Sequence, residues 1–203
     1  NNLALLYDSM GRYSEAEPLY VRSLEIRESK LGADHLDTAT SLNNLALLYD
    51  SMGRYSEAEP LYVSSLEIIE SQLGPDHPYM AVGLNNLAEV YRSTGRYSEA
   101  EPLYVRSLEI RESTLGADHL DMATNLNNLA LLYDSMERYS EAESSYVRSM
   151  QILRNALPPE HPYIETGTNN VRNFLRQMIE ADKIDQLSDH PLTQIILKEL
   201  RAE

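Results

Sequence analysis

The sequence predicts an all-α protein, an α-solenoid built from 42-residue helix–turn–helix repeats. Three observations predict this class. The string Asn-Asn-Leu-Ala begins at Asn1 and returns at Asn43, Asn85 and Asn127. Residues 1–42 and 43–84 differ at only nine positions. Apolar residues within each repeat are spaced three and four apart, as on one face of a helix. A fixed period of this length indicates stacked supersecondary units rather than one globular core.

The first predicted helix of a repeat runs from Thr38 to Tyr49 in the second copy. Leu42, Leu45 and Ala46 lie on its apolar face together with Tyr49. Gly53 follows this helix, and glycine tolerates the left-handed conformation that often ends one. The sequence therefore predicts a tight turn near Gly53 and its copies.

The second predicted helix runs from Ser56 to Leu73. Ser56 stands three residues before Glu59, the spacing of a capping box at a helix start. Pro60 falls near the predicted first turn, where a missing N–H costs little. Gly74 closes the helix. Asp76 or His77 is then the predicted cap of the next first helix, with Pro78 in its first turn.

Histidine recurs with the repeat, at His35, His77, His119 and His161. Zinc holds histidine nitrogens at about 2.0–2.1 Å, whereas packed helices lie about 8–10 Å apart. Copies in successive repeats therefore cannot share one ion. We predict that these histidines cap helices and that the chain holds no metal and no cofactor.

These residues together resemble a known repeat. The segments Leu-Asn-Asn-Leu-Ala, Gly-Arg-Tyr-Ser-Glu-Ala-Glu-Pro-Leu-Tyr and Leu-Gly-x-Asp-His-Pro resemble the tetratricopeptide repeat (TPR) of kinesin light chains and of bacterial proteins that share it. The resemblance covers residues 1 to about 165. It implies a right-handed superhelix of antiparallel helix pairs, with the first helices lining a concave groove. It further implies a cytoplasmic protein that binds a protein or an extended peptide segment in that groove.

The Asn pairs are the main candidates for ligand binding. A side-chain amide offers a donor and an acceptor, so it can pair with a peptide backbone whatever the peptide sequence. In the resembling family the second Asn contacts the bound peptide, and the alternative is that one Asn of each pair bonds to a neighbouring helix. Residues one and two turns further along the first helix are expected to make the groove selective. The predicted ligand-binding residues are Asn2, Asn43, Asn44, Leu47, Asp50, Asn85, Asn86, Glu89, Arg92, Asn127, Asn128 and Leu131.

Charge limits the partner. The formal net charge is −15, which argues against nucleic acid and anionic membranes because both attract clustered Lys and Arg. The predicted groove shows leucines flanked by carboxylates and no lysine. We therefore expect a ligand with apolar anchors and neutral or basic flanks. The chain has no cysteine, which excludes a structural disulfide and a cysteine zinc site.

The period breaks near the C-terminus. Residues 1–159 form four predicted repeats, the first truncated, and we expect the chain to be a segment of a longer array. Residues 160–203 are predicted to form a degenerate fifth first helix, from about Pro162 to Ala181, and a capping helix from about Pro191 to Leu200. Leu192, Ile195, Ile196 and Leu200 are expected on the apolar face of that last helix. The alternative is that this helix forms a dimer.

The expected function is non-catalytic. Carboxylates recur with the period, whereas an active site needs one asymmetric pocket. We expect a kinesin-light-chain-like adaptor or scaffold, monomeric or weakly self-associating. A motor heavy chain is a partner only by analogy with the family. One alternative is the sensor or scaffold arm of a larger signalling protein or enzyme, and another is a self-assembling rod.

Overall fold

The computed structural model describes residues 2–202, which form ten α-helices and one short 3₁₀ helix at Ile184–Gln186, with no strand among them. The α-helices are α1 (Asn2–Ser9), α2 (Tyr13–Leu31), α3 (Leu36–Ser51), α4 (Tyr55–Leu73), α5 (Pro78–Ser93), α6 (Tyr97–Leu115), α7 (Leu120–Ser135), α8 (Tyr139–Ala156), α9 (Pro162–Glu180) and α10 (Pro191–Leu200). Odd-numbered helices up to α9 are the first helices of successive repeats. The predicted helix order is confirmed.

Packing divides the chain into two compact units between Ile110 and Arg111. In the N-terminal unit, residues 2–110, each helix from α1 to α5 packs on the next, and α3 also contacts α5. In the C-terminal unit, residues 111–202, α7 packs on α8 and α8 on α9, while α10 contacts both α8 and α9. Consecutive pairing of neighbouring helices is the packing of an α-solenoid, so the predicted fold class is confirmed.

Small residues bring the helices together. The alanine of each Asn-Asn-Leu-Ala string is fully buried, as are Ala16, Ala58 and their copies on the second helices. Leu45 and Leu87 are buried as predicted, but Leu3 is 52% exposed. The reason is that Leu45 packs in one cluster with Tyr20 of the preceding helix α2, whereas α1 is the first helix that the structure describes.

The histidine caps are confirmed. Nδ1 of His35 accepts a hydrogen bond from the Asp37 backbone N–H at 3.0 Å, and His77 does the same for Tyr79 at 3.2 Å. Capping of this kind satisfies a backbone donor that the first turn leaves unpaired. His119, His161 and His190 repeat the arrangement.

The predicted capping box is wrong. The second helices begin at tyrosine, one residue before the serine, so Arg12 and Arg54 are the N-caps and their side chains make no cap hydrogen bond. Instead Arg12 Nε donates to Glu15 at 2.9 Å, and its guanidinium lies 4.5 Å from the centre of the Tyr7 ring. The glutamate of the first turn is therefore hydrogen-bonded to the arginine side chain. Pro18 and its copies lie inside the helices, beyond the first turn.

One glutamate of each of the first two repeats holds an arginine of the next. Glu17 Oε2 accepts from Arg54 Nη1 at 2.9 Å, and Glu59 Oε2 accepts from Arg96 Nη1 at 2.7 Å. In the fourth repeat the glutamate that corresponds to Glu17 and Glu59 is Glu143. The residue that corresponds to the arginine of the following repeat is Glu180, which cannot form this ion pair. Glu143 is buried and carries different partners.

Those partners come from the segment after α9. Glu143 accepts hydrogen bonds from the backbone N–H and hydroxyl of Ser188, at 2.7 and 2.9 Å, and from the Thr193 hydroxyl. Leu192, Ile196 and Leu197 of α10 are buried. Ile195 is 57% exposed, so its predicted place on the buried face is wrong, and Leu197 lies there instead. The role of residues 160–203 as a cap stays a prediction.

Candidate functional site

The Asn pairs form hydrogen bonds from one repeat to the next. Asn86 Nδ2 on α5 donates to Asn43 Oδ1 on α3 at 3.3 Å. In the C-terminal unit, Asn170 Nδ2 on α9 donates to Asn127 Oδ1 on α7 at 2.8 Å. The second Asn of one repeat is therefore bonded to the first Asn of the repeat before it. The expected link to a neighbouring helix exists, and it uses both members of the pair.

Half of each amide stays unused. Among residues 2–202, Asn43 Nδ2 and Asn127 Nδ2 donate no hydrogen bond, and Asn86 Oδ1 and Asn170 Oδ1 accept none. All four side chains are half-buried. Each linked pair therefore retains N–H donors and a carbonyl acceptor, the two groups that a peptide backbone needs.

The other predicted asparagines differ in environment. Asn2 is exposed at the start of α1, whereas Asn44 on α3, Asn85 on α5 and Asn128 on α7 are half-buried. No direct hydrogen bond between Asn44 and a described residue is present. These positions remain predicted ligand contacts without a geometry that selects them.

Leu47 and Asp50 lie one and two turns beyond Asn43 on the same face of α3. Leu47 is 37% exposed and Asp50 is half-buried. Burial raises the pKa of Asp50 from 3.8 to about 6; the negative charge of Glu89 adds to the effect and the positive charge of Arg92 opposes it. Among the described residues the Asp50 carboxylate accepts no side-chain hydrogen bond and forms no salt bridge.

The tyrosine beside Asp50 is also unpaired. The Tyr62 side chain is fully buried, and its hydroxyl makes no hydrogen bond within residues 2–202. Burial and the Asp50 charge both raise its pKa. In the first repeat the corresponding Tyr20 hydroxyl is bonded to Asp8. Asp50 therefore departs from the pairing that its own counterpart makes.

Glu89 and Arg92 of the third repeat satisfy one another. Arg92 Nε donates to Glu89 Oε2 at 3.0 Å, and a second contact joins Arg92 Nη2 to Glu89 Oε1. The Tyr104 hydroxyl donates to Glu89 at 2.6 Å. These bonds lower the pKa of Glu89 although burial alone raises it. The predicted residues Asp50, Glu89 and Arg92 are thus brought together, but the last two are internally paired.

Two clefts contain residues that the sequence reasoning missed. A cavity of about 310 Å³ lies among α3, α4 and α5, and one of about 400 Å³ lies among α7, α8 and α9. We call them the N-terminal and C-terminal clefts. The N-terminal cleft is lined by Ala39, Asn43, Ile69, Tyr79, Val82 and Gly83, among others. The C-terminal cleft is lined by Ala123, Asn127, Leu153, Tyr163, Thr166 and Gly167, among others.

Each cleft has an apolar wall and an exposed aromatic rim. Tyr79 is 58% exposed and Tyr163 is 62% exposed, whereas Ile69 and Leu153 are buried. Asn43 and Asn127, with their unused amide donors, line the same clefts. Leu131, predicted from its position one turn beyond Asn127, is half-buried. The clefts thus join the predicted Asn positions to apolar surface that the sequence reasoning did not assign.

Metal and membrane sites are not found in the described part of the chain. Residues 2–202 contain no group of three His, Cys, Asp or Glu side chains placed to hold an ion. No helix among the same residues is long and apolar enough to cross a bilayer.

Comparison with known proteins identifies the repeat. The sequence model of the tetratricopeptide repeat family matches residues 1–71, 51–113 and 79–155. The chain belongs to the tetratricopeptide repeat family. Tetratricopeptide repeats typically act as protein-interaction scaffolds, and the family is in general non-catalytic. No curated protein sequence matches this TPR chain.

Solved structures share the fold of this TPR chain. BtubC (BKLC) from P. vanneervenii is 24% identical with a TM-score of 0.77, over 98% of this chain and 77% of that one. A kinesin light chain-like protein of Podospora anserina with nearly identical TPR-like repeats is 23% identical with a TM-score of 0.77, over 99% and 91%. MamA is 12% identical with a TM-score of 0.62, over 98% and 95%. At these identities the likeness concerns the fold.

Proposed function

We propose that this chain is a non-catalytic module that binds an extended peptide segment of a partner protein on the face formed by its first helices. The observation that carries the proposal is the set of unused amide groups on the linked pairs Asn43–Asn86 and Asn127–Asn170. These amide atoms are not buried away from solvent, so they are accessible to a bound peptide backbone, which offers the matching C=O acceptor and N–H donor. A role as adaptor or scaffold follows from such binding.

The surroundings of these amides support the same proposal. Each pair stands beside a cleft whose apolar wall can take a side chain while the amides take the backbone. Main-chain hydrogen bonds give affinity and side-chain pockets give specificity in peptide recognition of this kind. The net charge of −15 favours a partner segment without acidic flanks.

A peptide selection tests the proposal. Random twelve-residue peptides displayed on phage are selected against the whole chain, and the selected peptides are then measured by fluorescence polarisation. The variant carries Asn43→Ala and Asn127→Ala together. The matched control is Asn155→Ala, which removes an exposed amide on α8 outside both clefts. Thermal midpoints of all proteins are compared so that binding is expressed per folded molecule.

We expect the double variant to bind selected peptides about tenfold more weakly, because each lost hydrogen bond is worth about 0.5–1.5 kcal/mol. Asn155→Ala should bind as the parent does. The proposal is wrong if no peptide is selected, or if the double variant binds as tightly as the control.

A further inference from the structure

The two clefts occur at corresponding junctions that are separated by two repeat periods in the sequence. Every residue named above for the N-terminal cleft has its counterpart 84 positions later in the C-terminal cleft. The second and fourth repeats share Pro-Tyr at the start of the next first helix and a glycine four residues after that tyrosine, as in Tyr79 and Gly83. The first and third repeats have Leu-Asp there, followed by Ser41 or Asn125. The cleft residues therefore repeat with every second unit.

The residue that faces the cleft alternates in the same way. Ile69 and Leu153 line the two clefts, but their counterparts in the first and third repeats are Arg27 and Arg111. Arg27 Nη1 donates to the Asp37 carbonyl at 2.6 Å and to the Ser41 hydroxyl at 3.0 Å. Arg111 Nη1 donates to the Asp121 carbonyl at 2.7 Å. At these junctions a long charged side chain reaches the positions that Tyr79 and Gly83 hold in the cleft.

An unneutralised carboxylate, Asp50, lies beyond the N-terminal cleft, and its counterpart beyond the C-terminal cleft is Asp134, whose pKa is raised by burial. Asp50 follows Asn43, and Asp134 follows Asn127, two turns along the same helix face. Asp50, Glu89 and Arg92 together carry a net charge of −1, and the hydrogen bonds of Arg92 go to Glu89. The fully buried Tyr62 hydroxyl beside Asp50 has no partner among the described residues. The N-terminal site therefore lacks a cation for Asp50 and a hydrogen-bonding partner for Tyr62 at this end.

The distance between the two features sets the ligand's spacing. From Asn43, the residue at the end of the cleft nearest to Asp50 on α3, the helix rises about 10 Å to Asp50, at about 1.5 Å per residue. An extended peptide covers that length in about three residues, at about 3.3 Å each. We propose that each cleft with its carboxylate is one binding site, and that the site takes a peptide segment in which a large apolar side chain is separated by about three residues from a lysine or arginine. The inference rests on the proposed function and adds the ligand's chemistry and the junctions that bind it.

Tryptophan fluorescence gives a direct test, because the chain contains no tryptophan. The probe is an acetylated eight-residue peptide of glycine and serine with tryptophan at its third and arginine at its sixth position. Two further peptides replace the arginine by glutamate, or move it next to the tryptophan. Each peptide is titrated with the whole chain, and stoichiometry and affinity are read from the emission shift.

Variants import the residues of the other junction. Ile69→Arg with Tyr79→Asp copies Arg27 and Asp37 into the N-terminal cleft, and Leu153→Arg with Tyr163→Asp does so in the C-terminal cleft. Because the chain already folds with these residues at one junction, the exchange is compatible with the repeat. Tyr79→Ala and Tyr163→Ala provide a second test; they remove exposed rings that contact the capping rings of His77 and His161 at 4.9 Å between centroids. Val105→Ala, an exposed apolar residue outside both clefts, is the matched control.

The carboxylate end has its own variant, Asp50→Asn with Asp134→Asn. We expect the parent to bind two equivalents of the tryptophan–arginine peptide and each exchanged cleft to remove one. The glutamate peptide and the adjacent-arginine peptide should bind at least tenfold more weakly. In the Asp50/Asp134 variant the arginine peptide should bind no better than the glutamate peptide.

Three results overturn the inference. One is a peptide stoichiometry that stays unchanged both in the variant with two exchanged clefts and in the variant with Tyr79→Ala and Tyr163→Ala. Another is equal affinity for the arginine and glutamate peptides, and the third is undiminished binding by the Asp50/Asp134 variant. If the designed peptide fails while phage-selected peptides still bind through the asparagines, the spacing and charge are wrong and the proposed function stands. If neither binds, both proposals fall.

Discussion

Asp50→Asn is expected to stabilise the protein at neutral pH. Burial places the ionised carboxylate of Asp50 in an environment that favours its neutral form, and the pKa rises from 3.8 to about 6. At about 1.36 kcal/mol per unit of pKa, this difference corresponds to about 3 kcal/mol by which the ionised Asp50 lowers the free energy of unfolding at neutral pH. Because Asp50 keeps part of its contact with water, we expect a gain of about 1–2 kcal/mol on removing its charge.

The pH dependence has a definite sign. An acid whose folded pKa lies above its unfolded value binds more protons when folded, so its contribution to stability falls as pH rises between the two values. For Asp50 that window runs from 3.8 to about 6. The advantage of Asp50→Asn should therefore be full above pH 7, decline through the window and be lost near pH 4.

Urea denaturation followed by circular dichroism measures this difference at several pH values between 4 and 7.5. Asp34→Asn is the control, because Asp34 is exposed in the loop before α3. The free energy of unfolding of Asp34→Asn should differ little from that of the parent, and the difference should not vary between pH 4 and 7.5. The reasoning is refuted if Asp50→Asn lowers the urea midpoint at pH 7.5, or if its advantage is the same at pH 4.

Three further predictions concern packing. Glu143→Gln should lower the free energy of unfolding by about 1–3 kcal/mol, because the Ser188 and Thr193 donors lose a charged acceptor. Amide hydrogen exchange of α10 should then become faster. Unchanged exchange would contradict the role of Glu143. Deleting residues 185–203 should expose apolar surface on α8 and α9 and promote aggregation, as light scattering would show; an equally soluble truncation would refute the cap. Gly83→Ala should cost about 1–3 kcal/mol in thermal denaturation, because its Cβ would lie 2.7 Å from Leu66 Cδ2. Adding Leu66→Val should recover part of that loss, and no recovery would exclude the clash as the cause.

The repeat period predicted the helices because each helix is specified by residues close together in sequence. Apolar spacing located α3 and α4 to within a few residues. The histidine caps were predictable since a cap involves neighbours such as His77 and Tyr79. The capping box failed because α4 begins at Tyr55, which places Ser56 inside the first turn, and because Glu59 accepts a charged hydrogen bond at 2.7 Å from Arg96 of the next repeat.

The clefts were not predicted because they depend on agreement between distant positions. Ile69 on α4 and Gly83 on α5 matter only when both face the same space beside Asn43. Reading the repeats as copies of one unit hides this, since it treats Ile69 and Arg27 as variation at a single position. Comparing alternate repeats would have indicated the clefts, because Ile69, Tyr79 and Gly83 are replaced together by Arg27, Asp37 and Ser41 at the preceding junction.

The position of Asp50 shows how the array treats a buried charge in its first three repeats. In the first repeat Asp8 is bonded by the Tyr20 hydroxyl. In the third repeat the position is Arg92, neutralised by Glu89, which also holds the Tyr104 hydroxyl. The third repeat thus satisfies the position internally, whereas in the first repeat burial still raises the pKa of Asp8 in spite of the Tyr20 hydrogen bond. In the second repeat Asp50 has neither solution, and its tyrosine is left unpaired.

The third repeat shows that this fold can satisfy the position internally, so the fold does not require Asp50 to remain unpaired. The cost of an ionised Asp50 therefore points to a requirement outside folding, because binding sites commonly retain groups that destabilise the unliganded protein. A cationic side chain from a ligand would supply the missing charge and remove the cost. Asp50→Asn is thus expected to raise stability and to weaken binding of the arginine peptide in the same protein. If Asp50→Asn gained stability and kept its affinity for the arginine peptide, the charge of Asp50 would contribute neither to folding nor to binding.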